Sequence, residues 1–207
     1  MSTFADLGVP VPLFLGPHRY AEGATDGRRC VLCDRRGVCL PLDDVMVPCD
    51  ACGGQTRVRT RRRSDTCHRC AAPVTLPFAS GVPLPLRGCV ACLRAGRWAQ
   101  SHVTEAGVID AELLRTPRYA TFQGERWLFC HDLPMVYLGE WTRPDFESAR
   151  PGAGYDLFAE IIRDVDPATI ADAWEHGLTL HHGEPDLRVY VFRCRHCATL
   201  RTHSDCG

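Results

Sequence analysis

The sequence predicts an α+β protein, with two tandem zinc-ribbon-like modules in the N-terminal half and a small mixed domain with an antiparallel sheet after them. Three observations support this prediction. Four CxxC pairs follow one another between residues 30 and 92, cysteine makes up 13 of 207 residues, and short strand and helix patterns alternate beyond residue 100. We therefore divide the chain into an extended arm (1–28), two CxxC modules (29–100) and an α+β domain (101–207).

The arm over residues 1–28 is punctuated by proline and glycine, so we expect it to pack against the rest of the chain rather than fold alone. Its apolar run, residues 9–16, contains two prolines and is about half the ~20 residues of a membrane-spanning helix. No basic segment precedes this run, so neither secretion nor membrane insertion is expected. The expected cytoplasmic location is reducing, which favours thiolate metal ligands over disulfides.

The cysteines of the four CxxC pairs are predicted to hold two zinc ions, each bound by four thiolates. A CxxC turn lets two thiolates face one ion, and two such turns complete a tetrahedral site. Because this stretch has few large apolar residues, metal is expected to supply folding energy, about 10 to 16 kcal/mol for each structural zinc. The predicted ligands are Cys30, Cys33, Cys49, Cys52, Cys67, Cys70, Cys89 and Cys92.

Two ways of pairing these motifs are open. In the sequential pairing, the first pair joins the second and the third joins the fourth. In the nested pairing, the first joins the fourth and the second joins the third. An internal repeat favours the sequential pairing, since each copy runs from a CxxC through a Leu-Pro step to a pair with alanine before its second cysteine. Closed four-thiolate sites have no position for a substrate, so we expect structural roles.

A fifth pair, Cys194 and Cys197, follows a predicted strand and has no second CxxC motif nearby. We expect a third zinc site here, completed by Cys206 together with Cys130 or His203. His196 and Asp205 are further candidates, and two unliganded core thiols are the alternative. If one ligand were water, this would be the place for metal catalysis.

The C-terminal part shows the periodicities of short secondary-structure elements. Asp166 is the predicted N-cap of a helix that has proline at its first position and ends before Gly177. A turn at residues 132–134 separates two strands. The predicted elements are a helical turn over 110–115, strands over 126–130 and 135–141, helices over 156–164 and 167–176, and a strand over 187–193.

The charge pattern gives no global argument for nucleic-acid or membrane binding, because the formal net charge is only -1. Residues 1–100 contain 14 arginines and 8 acidic residues, whereas residues 101–207 contain 10 and 17. Zinc-bound thiolates would cancel most of the N-terminal excess. A run of arginines at 57, 59 and 61–63 is typical of a solvated linker, and it is also what a nucleic-acid contact would use.

The segment Arg115-Thr116-Pro117-Arg118-Tyr119, then Gln123, Glu125 and Trp127, then Cys130, Asp132 and the step Leu138-Gly139, resembles the signature of the CbrC family. The resemblance covers most of residues 28–207, including the terminal Cys194 and Cys197 pair. Family members carry two N-terminal pairs, which the outermost pairs would match, so the resemblance revives the nested pairing. It also implies a role in tolerance to colicins, toxins with which bacteria attack related strains.

The signature positions have two interpretations. Arg115, Gln123, Glu125 and Asp132 could carry function, or they could form a structural corner in which Arg115 pairs with Glu125 or Asp132. A buried arginine–carboxylate pair would need full hydrogen bonding to be stable.

Our first functional hypothesis is a non-enzymatic zinc protein that acts through protein contact in toxin tolerance or immunity. Its acidic C-terminal half would face a basic bacterial toxin. The alternatives are a nucleic-acid-binding zinc-ribbon regulator that uses the arginine run, and an enzyme that uses Glu125, Cys130, Asp132, Cys194 and Cys197. No complete catalytic signature is present, so we assign no catalytic residue.

Overall fold

The computed structural model describes residues 2–42, 44–48, 50–53, 55–59, 66, 70–74, 86–107, 110–162, 166–178, 180–181, 184–185 and 187–206. In this part of the chain the protein is a mixed α+β fold with antiparallel sheets and few helices, as the sequence predicts. The strands are β1 (Thr25–Arg29), β2 (Arg36–Pro41), β3 (Asp44–Pro48), β4 (Gln55–Arg59), β5 (Arg87–Cys89), β6 (Phe129–Cys130), β7 (Leu133–Pro134), β8 (Val136–Glu140), β9 (Leu180–His181), β10 (Glu184–Pro185), β11 (Leu187–Arg193) and β12 (Leu200–Cys206). The helices are α1 (Val90–Arg94), α2 (Arg143–Ala149), α3 (Gly154–Ile161) and α4 (Pro167–Asp172).

The first sheet has the antiparallel order β1-β2-β5. The antiparallel hairpin β3-β4 lies between β2 and β5 in sequence, so the strands that form the sheet come from both sides of an insertion. β5 leads directly into α1, with Cys89 as the N-cap residue of that helix. This order and its register bring residues about 60 positions apart to one end of the sheet.

The second sheet has the antiparallel order β12-β11-β8. β11 begins and ends at the predicted residues, and its register with β12 runs from Leu187 opposite Cys206 to Arg193 opposite Leu200. The predicted strands over 126–130 and 135–141 are shorter than expected, as β6 and β8, and β7 lies between them. The turn between β6 and β7 falls at His131 and Asp132.

Several helices follow from local sequence signals. α4 begins as predicted at Pro167, and the Asp166 side chain accepts hydrogen bonds from the backbone N–H of Ala168 and Thr169. A π-helical turn over Ala173–Gly177 continues it to the predicted stop. α3 begins two residues before the predicted start. α2, which the periodicity analysis did not predict, begins at a capping box formed by Thr142 and Asp145.

Two apolar cores are present. The first combines residues of the arm, the first sheet and the signature region, among them Phe14, Leu93, Trp98, Tyr119 and Tyr137. The arm therefore packs as predicted. The second core joins α2, α3 and α4 to the opposite face of the second sheet. The division of the chain at residues 28 and 100 stays a prediction, although the first core draws on all three segments.

Among the residues that the structure describes, no helix combines the length and the apolar character that crossing a membrane requires.

Candidate metal centres

The first cluster consists of four cysteines from two elements: Cys30 and Cys33 follow β1, and Cys89 and Cys92 lie where β5 enters α1. Their four sulfur atoms lie within 4.8 Å of one another. Three of these cysteines are buried and Cys33 is half-buried. The cluster therefore joins the end of β1 to the junction of β5 and α1.

The sulfur separations fit a tetrahedral metal site. Cys30 Sγ lies 3.8 Å from Cys92 Sγ, and Cys33 Sγ lies 3.8 Å from Cys89 Sγ. A tetrahedron with Zn–S bonds of about 2.3 Å has edges of about 3.8 Å, whereas a disulfide places its sulfurs about 2.05 Å apart. The four thiols could therefore hold one metal ion without rearrangement.

Backbone and side-chain donors surround these sulfurs. Cys30 Sγ accepts hydrogen bonds from the backbone N–H of Leu32 at 3.4 Å and of Cys89 at 3.2 Å. The Arg97 guanidinium lies 3.8 Å from Cys92 Sγ. Such donors offset the negative charge of metal-bound thiolates.

Burial opposes the ionisation of two of these thiols in the protein without metal. Burial raises the pKa of Cys89 and of Cys92, whereas a hydrogen bond from the Arg35 backbone lowers the pKa of Cys33. A divalent ion would shift all of these equilibria toward the thiolate, because metal binding releases the thiol protons.

The sequential pairing is wrong for the first CxxC pair, because Cys30 and Cys33 face the fourth pair rather than Cys49 and Cys52. The repeat in sequence misled the prediction, since strand pairing of β2 with β5 closes the sheet across the β3-β4 insertion. Of the two inner pairs, Cys52 and Cys70 are exposed, while Cys49 and Cys67 lie outside the described residues.

The second cluster consists of Cys130, His131, Cys194 and Cys197, whose ligand atoms also lie within 4.8 Å of one another. Cys130 Sγ lies 3.9 Å from Cys197 Sγ, and His131 Nδ1 lies 3.2 Å from Cys130 Sγ and 3.6 Å from Cys194 Sγ. The backbone N–H of His196 donates to Cys194 Sγ at 3.3 Å. Backbone hydrogen bonds, chiefly from Cys197, lower the pKa of Cys194 to about 7.

The structure brings Cys130, Cys194 and Cys197 together, and it adds His131, which the sequence prediction did not include. The sequence did contain a signal for this ligand, because His131 follows Cys130 directly in a turn. The backbone of Cys206 pairs with that of Leu187, at the opposite end of the β11-β12 hairpin, about six residues of ~3.3 Å each away from the cluster end. Its role as a ligand stays a prediction.

Of the three remaining candidates for this site, His196 is exposed, with its ring centroid 5.6 Å from that of His131, and Asp205 and His203 are used elsewhere. Buried Asp205 accepts hydrogen bonds from the Tyr190 hydroxyl at 2.8 Å and from the backbone N–H of Phe122 and Gln123 at 3.0 and 3.1 Å. His203 stacks on Tyr190, and its Nδ1 lies 3.2 Å from the Tyr119 hydroxyl. Asp205 thus fixes the signature segment to β12 and does not ligate metal here.

The signature carboxylate Glu125 is paired with His102, not with Arg115. Glu125 Oε1 lies 2.9 Å from His102 Nδ1, and His102 Nε2 lies 3.1 Å from the Thr116 carbonyl oxygen. Both side chains are buried, and burial raises the pKa of Glu125. Arg115 and Asp132 are exposed. The structural corner is therefore formed by an interaction that spacing alone did not indicate.

A cavity of about 910 Å³ lies against the four-cysteine cluster. Apolar side chains of Phe4, Val9 and Val38 line it, together with the guanidinium groups of Arg35 and Arg97. Its volume is in the range of small-molecule sites. Cys33, Cys89 and Cys92 of the cluster also line this cavity.

The structure describes only part of the arginine run at residues 57, 59 and 61–63. Residues 57 and 59 lie on β4, and residues 61–63 lie outside the described part of the chain. The use of this run for nucleic-acid binding stays a prediction.

A search of curated proteins and a search of solved structures each returned no match. A family model matches residues 87–206, which include the second CxxC pair of the four-cysteine cluster and the whole of the second cluster. This match covers more than half of the chain and agrees with the signature residues described above. The chain therefore belongs to the uncharacterised protein family UPF0167, for which CbrC is the known family name.

Proposed function

We propose that this protein is a non-enzymatic zinc protein in which the four-cysteine cluster holds one structural zinc ion. The observation that carries the proposal is the set of four sulfur atoms, from residues 30, 33, 89 and 92, at the spacing of a tetrahedral site. All-thiolate ligands favour zinc among the divalent ions of the cell interior that lack redox chemistry. When bound, the ion would supply folding energy rather than a reaction centre.

A structural role is supported by the closed ligand set. Four protein ligands fill a tetrahedral shell, so no position is left for water or substrate. The buried Cys30, Cys89 and Cys92 also lie among the residues of the first core. Zinc would thus hold the β1-β2-β5 sheet against the start of α1, beside the first apolar core.

We further propose that the inner pairs, residues 49 and 52 and residues 67 and 70, bind a zinc ion of their own. The nested order supports this, because the outer pairs already satisfy each other and leave the inner pairs as mutual partners. The number of zinc ions per purified chain tests whether the inner pairs bind this further ion.

The first prediction concerns metal stoichiometry. We expect the purified chain to contain zinc, and we expect the double substitution of Cys89 and Cys92 by serine to remove one equivalent, measured by elemental analysis beside protein concentration. The matched control is Cys39→Ser, which should keep the zinc content of the wild type. Cys39 is buried, and its thiol lies outside the cluster, 3.3 Å from the Arg28 carbonyl oxygen. Zinc content that is unchanged in the double variant would contradict the proposal.

The biological role that we propose is toxin tolerance through protein contact. It rests on the family name and on the acidic residues 101–207, whose charge suits capture of a basic toxin at an increased association rate. The test is a pull-down of toxins encoded beside this protein, at low and physiological salt. Absence of binding to every neighbouring toxin would remove this role and leave the zinc assignment intact.

A further inference from the structure

We propose that Cys130, His131, Cys194 and Cys197 form a separate zinc centre whose ion exchanges readily with solvent. This centre would join the β6-β7 turn to the β11-β12 turn only while zinc is bound. The proposal does not depend on metal at the four-cysteine cluster, because the two clusters share no ligand.

The first argument is the convergence of two turns on one point. The β6-β7 turn supplies Cys130 and His131, and the turn after β11 supplies Cys194 and Cys197. The contact between Cys130 and Cys197 joins residues 67 positions apart. Sulfur atoms about 3.8 Å apart, and a nitrogen about 3.6 Å from sulfur, are the separations that one tetrahedral zinc imposes.

The second argument is the residue in the turn. His131 and Asp132 both have positive φ angles, 54° and 57°. Two-residue hairpin turns of this kind favour asparagine, aspartate and glycine, and histidine also adopts a positive φ more readily than most residues. His131 therefore suits the turn, and the turn holds its Nδ1 3.2 Å from Cys130 Sγ and 3.6 Å from Cys194 Sγ.

The ligand set fits zinc and differs from that of the first cluster. Three thiolates and one neutral imidazole around a divalent ion carry a net charge of about −1, compared with about −2 for four thiolates. Zinc accepts both ligand types, whereas magnesium and calcium prefer oxygen.

Exposure distinguishes the two clusters. His131 and Cys197 are exposed and Cys130 is half-buried, so only Cys194 is shielded from solvent. In the first cluster three of the four cysteines are buried. A chelator removes zinc by binding it while ligands leave one at a time, so an exposed ligand pair allows attack that a buried one resists. We therefore expect fast release from the second cluster and slow release from the first.

Reversible zinc binding at this centre would make the structure at the turn end of the β11-β12 hairpin depend on the zinc concentration. Without metal, the β6-β7 turn loses its cross-link to the β11-β12 hairpin, while the β11 ladder with β8 and β12 remains. The centre would thus respond to the zinc supply without unfolding the chain.

The test uses the full zinc-loaded chain and a coloured chelator that reports zinc release with time. We expect a fast phase that includes one equivalent from this centre, and a slow phase from the four-cysteine centre; zinc at the inner pairs, whose Cys52 and Cys70 are exposed, would also leave early. In H131N the fast phase should be smaller by one equivalent, because the zinc affinity of this centre should be at least ~10-fold weaker. Even losing a group that only orients a ligand costs about 10- to 100-fold. Asparagine suits the positive φ of the turn, so the variant keeps the fold.

Two controls keep the test decisive. H196N changes an exposed histidine beside the cluster that is not one of its ligands, and it should release zinc as the wild type does. Cobalt(II) substitution of the fast site should give thiolate charge-transfer absorption, with visible bands for three sulfurs and one nitrogen that disappear in H131N.

Release of all zinc in one phase, or an unchanged fast phase in both H131N and C197S, would overturn the proposal. Loss of the slow phase in the C89S/C92S variant instead tests the four-cysteine centre.

Discussion

Glu125 and His102 show how one buried pair determines the role of a signature residue. Since a carbonyl oxygen only accepts hydrogen bonds, the Thr116 carbonyl requires a proton on His102 Nε2. The other ring nitrogen and the Glu125 carboxylate therefore share one further proton, which either group can hold. Trp127 packs edge-on against the imidazole ring. The pair is thus satisfied within the core and is not available to a substrate.

The residue-scale prediction is that Glu125→Ala lowers the free energy of unfolding by about 1–3 kcal/mol, because it leaves buried polar atoms of His102 without a partner. Glu125→Gln should cost less, since its amide can donate to the imidazole nitrogen. Urea unfolding of the metal-loaded chain measures both. Equal losses in the two variants would contradict the hydrogen-bonding role.

A pH dependence follows from the raised pKa of Glu125. Between the ordinary glutamate pKa of about 4.3 and its raised value in the fold, the Glu125 carboxyl binds more protons in the folded chain than in the unfolded chain. The contribution of this carboxyl to the free energy of unfolding therefore falls as pH rises through this interval. The difference between wild type and Glu125→Gln should show this slope, and the contribution of metal release cancels in that difference. A difference that is constant with pH would contradict the assignment.

At the scale of elements, caps decide where the helices begin. α4 begins where its sequence predicts because Asp166 accepts two backbone N–H groups at 3.1 Å and Pro167 needs no donor partner. α2 begins at a capping box that the sequence contains but that apolar periodicity does not reveal, since only Phe146 of this helix is buried.

The element-scale prediction concerns the cap of α4. Asp166→Ala should lower the free energy of unfolding, because the first-turn N–H groups lose their acceptor. Asp166→Asn keeps an acceptor oxygen and should lower it much less. Thermal or urea unfolding of the pair measures the difference, and an alanine variant as stable as the asparagine variant would contradict the capping role.

At the scale of the whole molecule, two cores lie on opposite faces of the second sheet. The first includes the cluster residues Cys30, Cys89, Cys92 and Cys194, whereas the described residues of the second, around Phe158 and Trp174, include no cysteine. Tyr190 and Val191 of β11 lie in different cores, because successive residues of a strand point to opposite faces.

We therefore predict an uneven response to chelation. Removal of all metal should abolish hydrogen-exchange protection in β1, β2 and β5, which the four-cysteine cluster joins, and largely preserve it in α3 and α4. Hydrogen exchange followed by mass spectrometry, with and without chelator, gives the comparison. Parallel loss of protection in both regions would show that the cores are not independent of one another.

Local signals in the sequence determined the α+β class, β11, the start of α4 and the presence of paired cysteines, because caps, alternation and CxxC spacing act over a few neighbouring residues. The tertiary structure decided which pairs meet. The pairing of β2 with β5 across the inserted hairpin brings Cys30 to Cys89, and the β6-β7 turn brings His131 to Cys194. Such contacts depend on strand order and register, which no short stretch of sequence encodes alone.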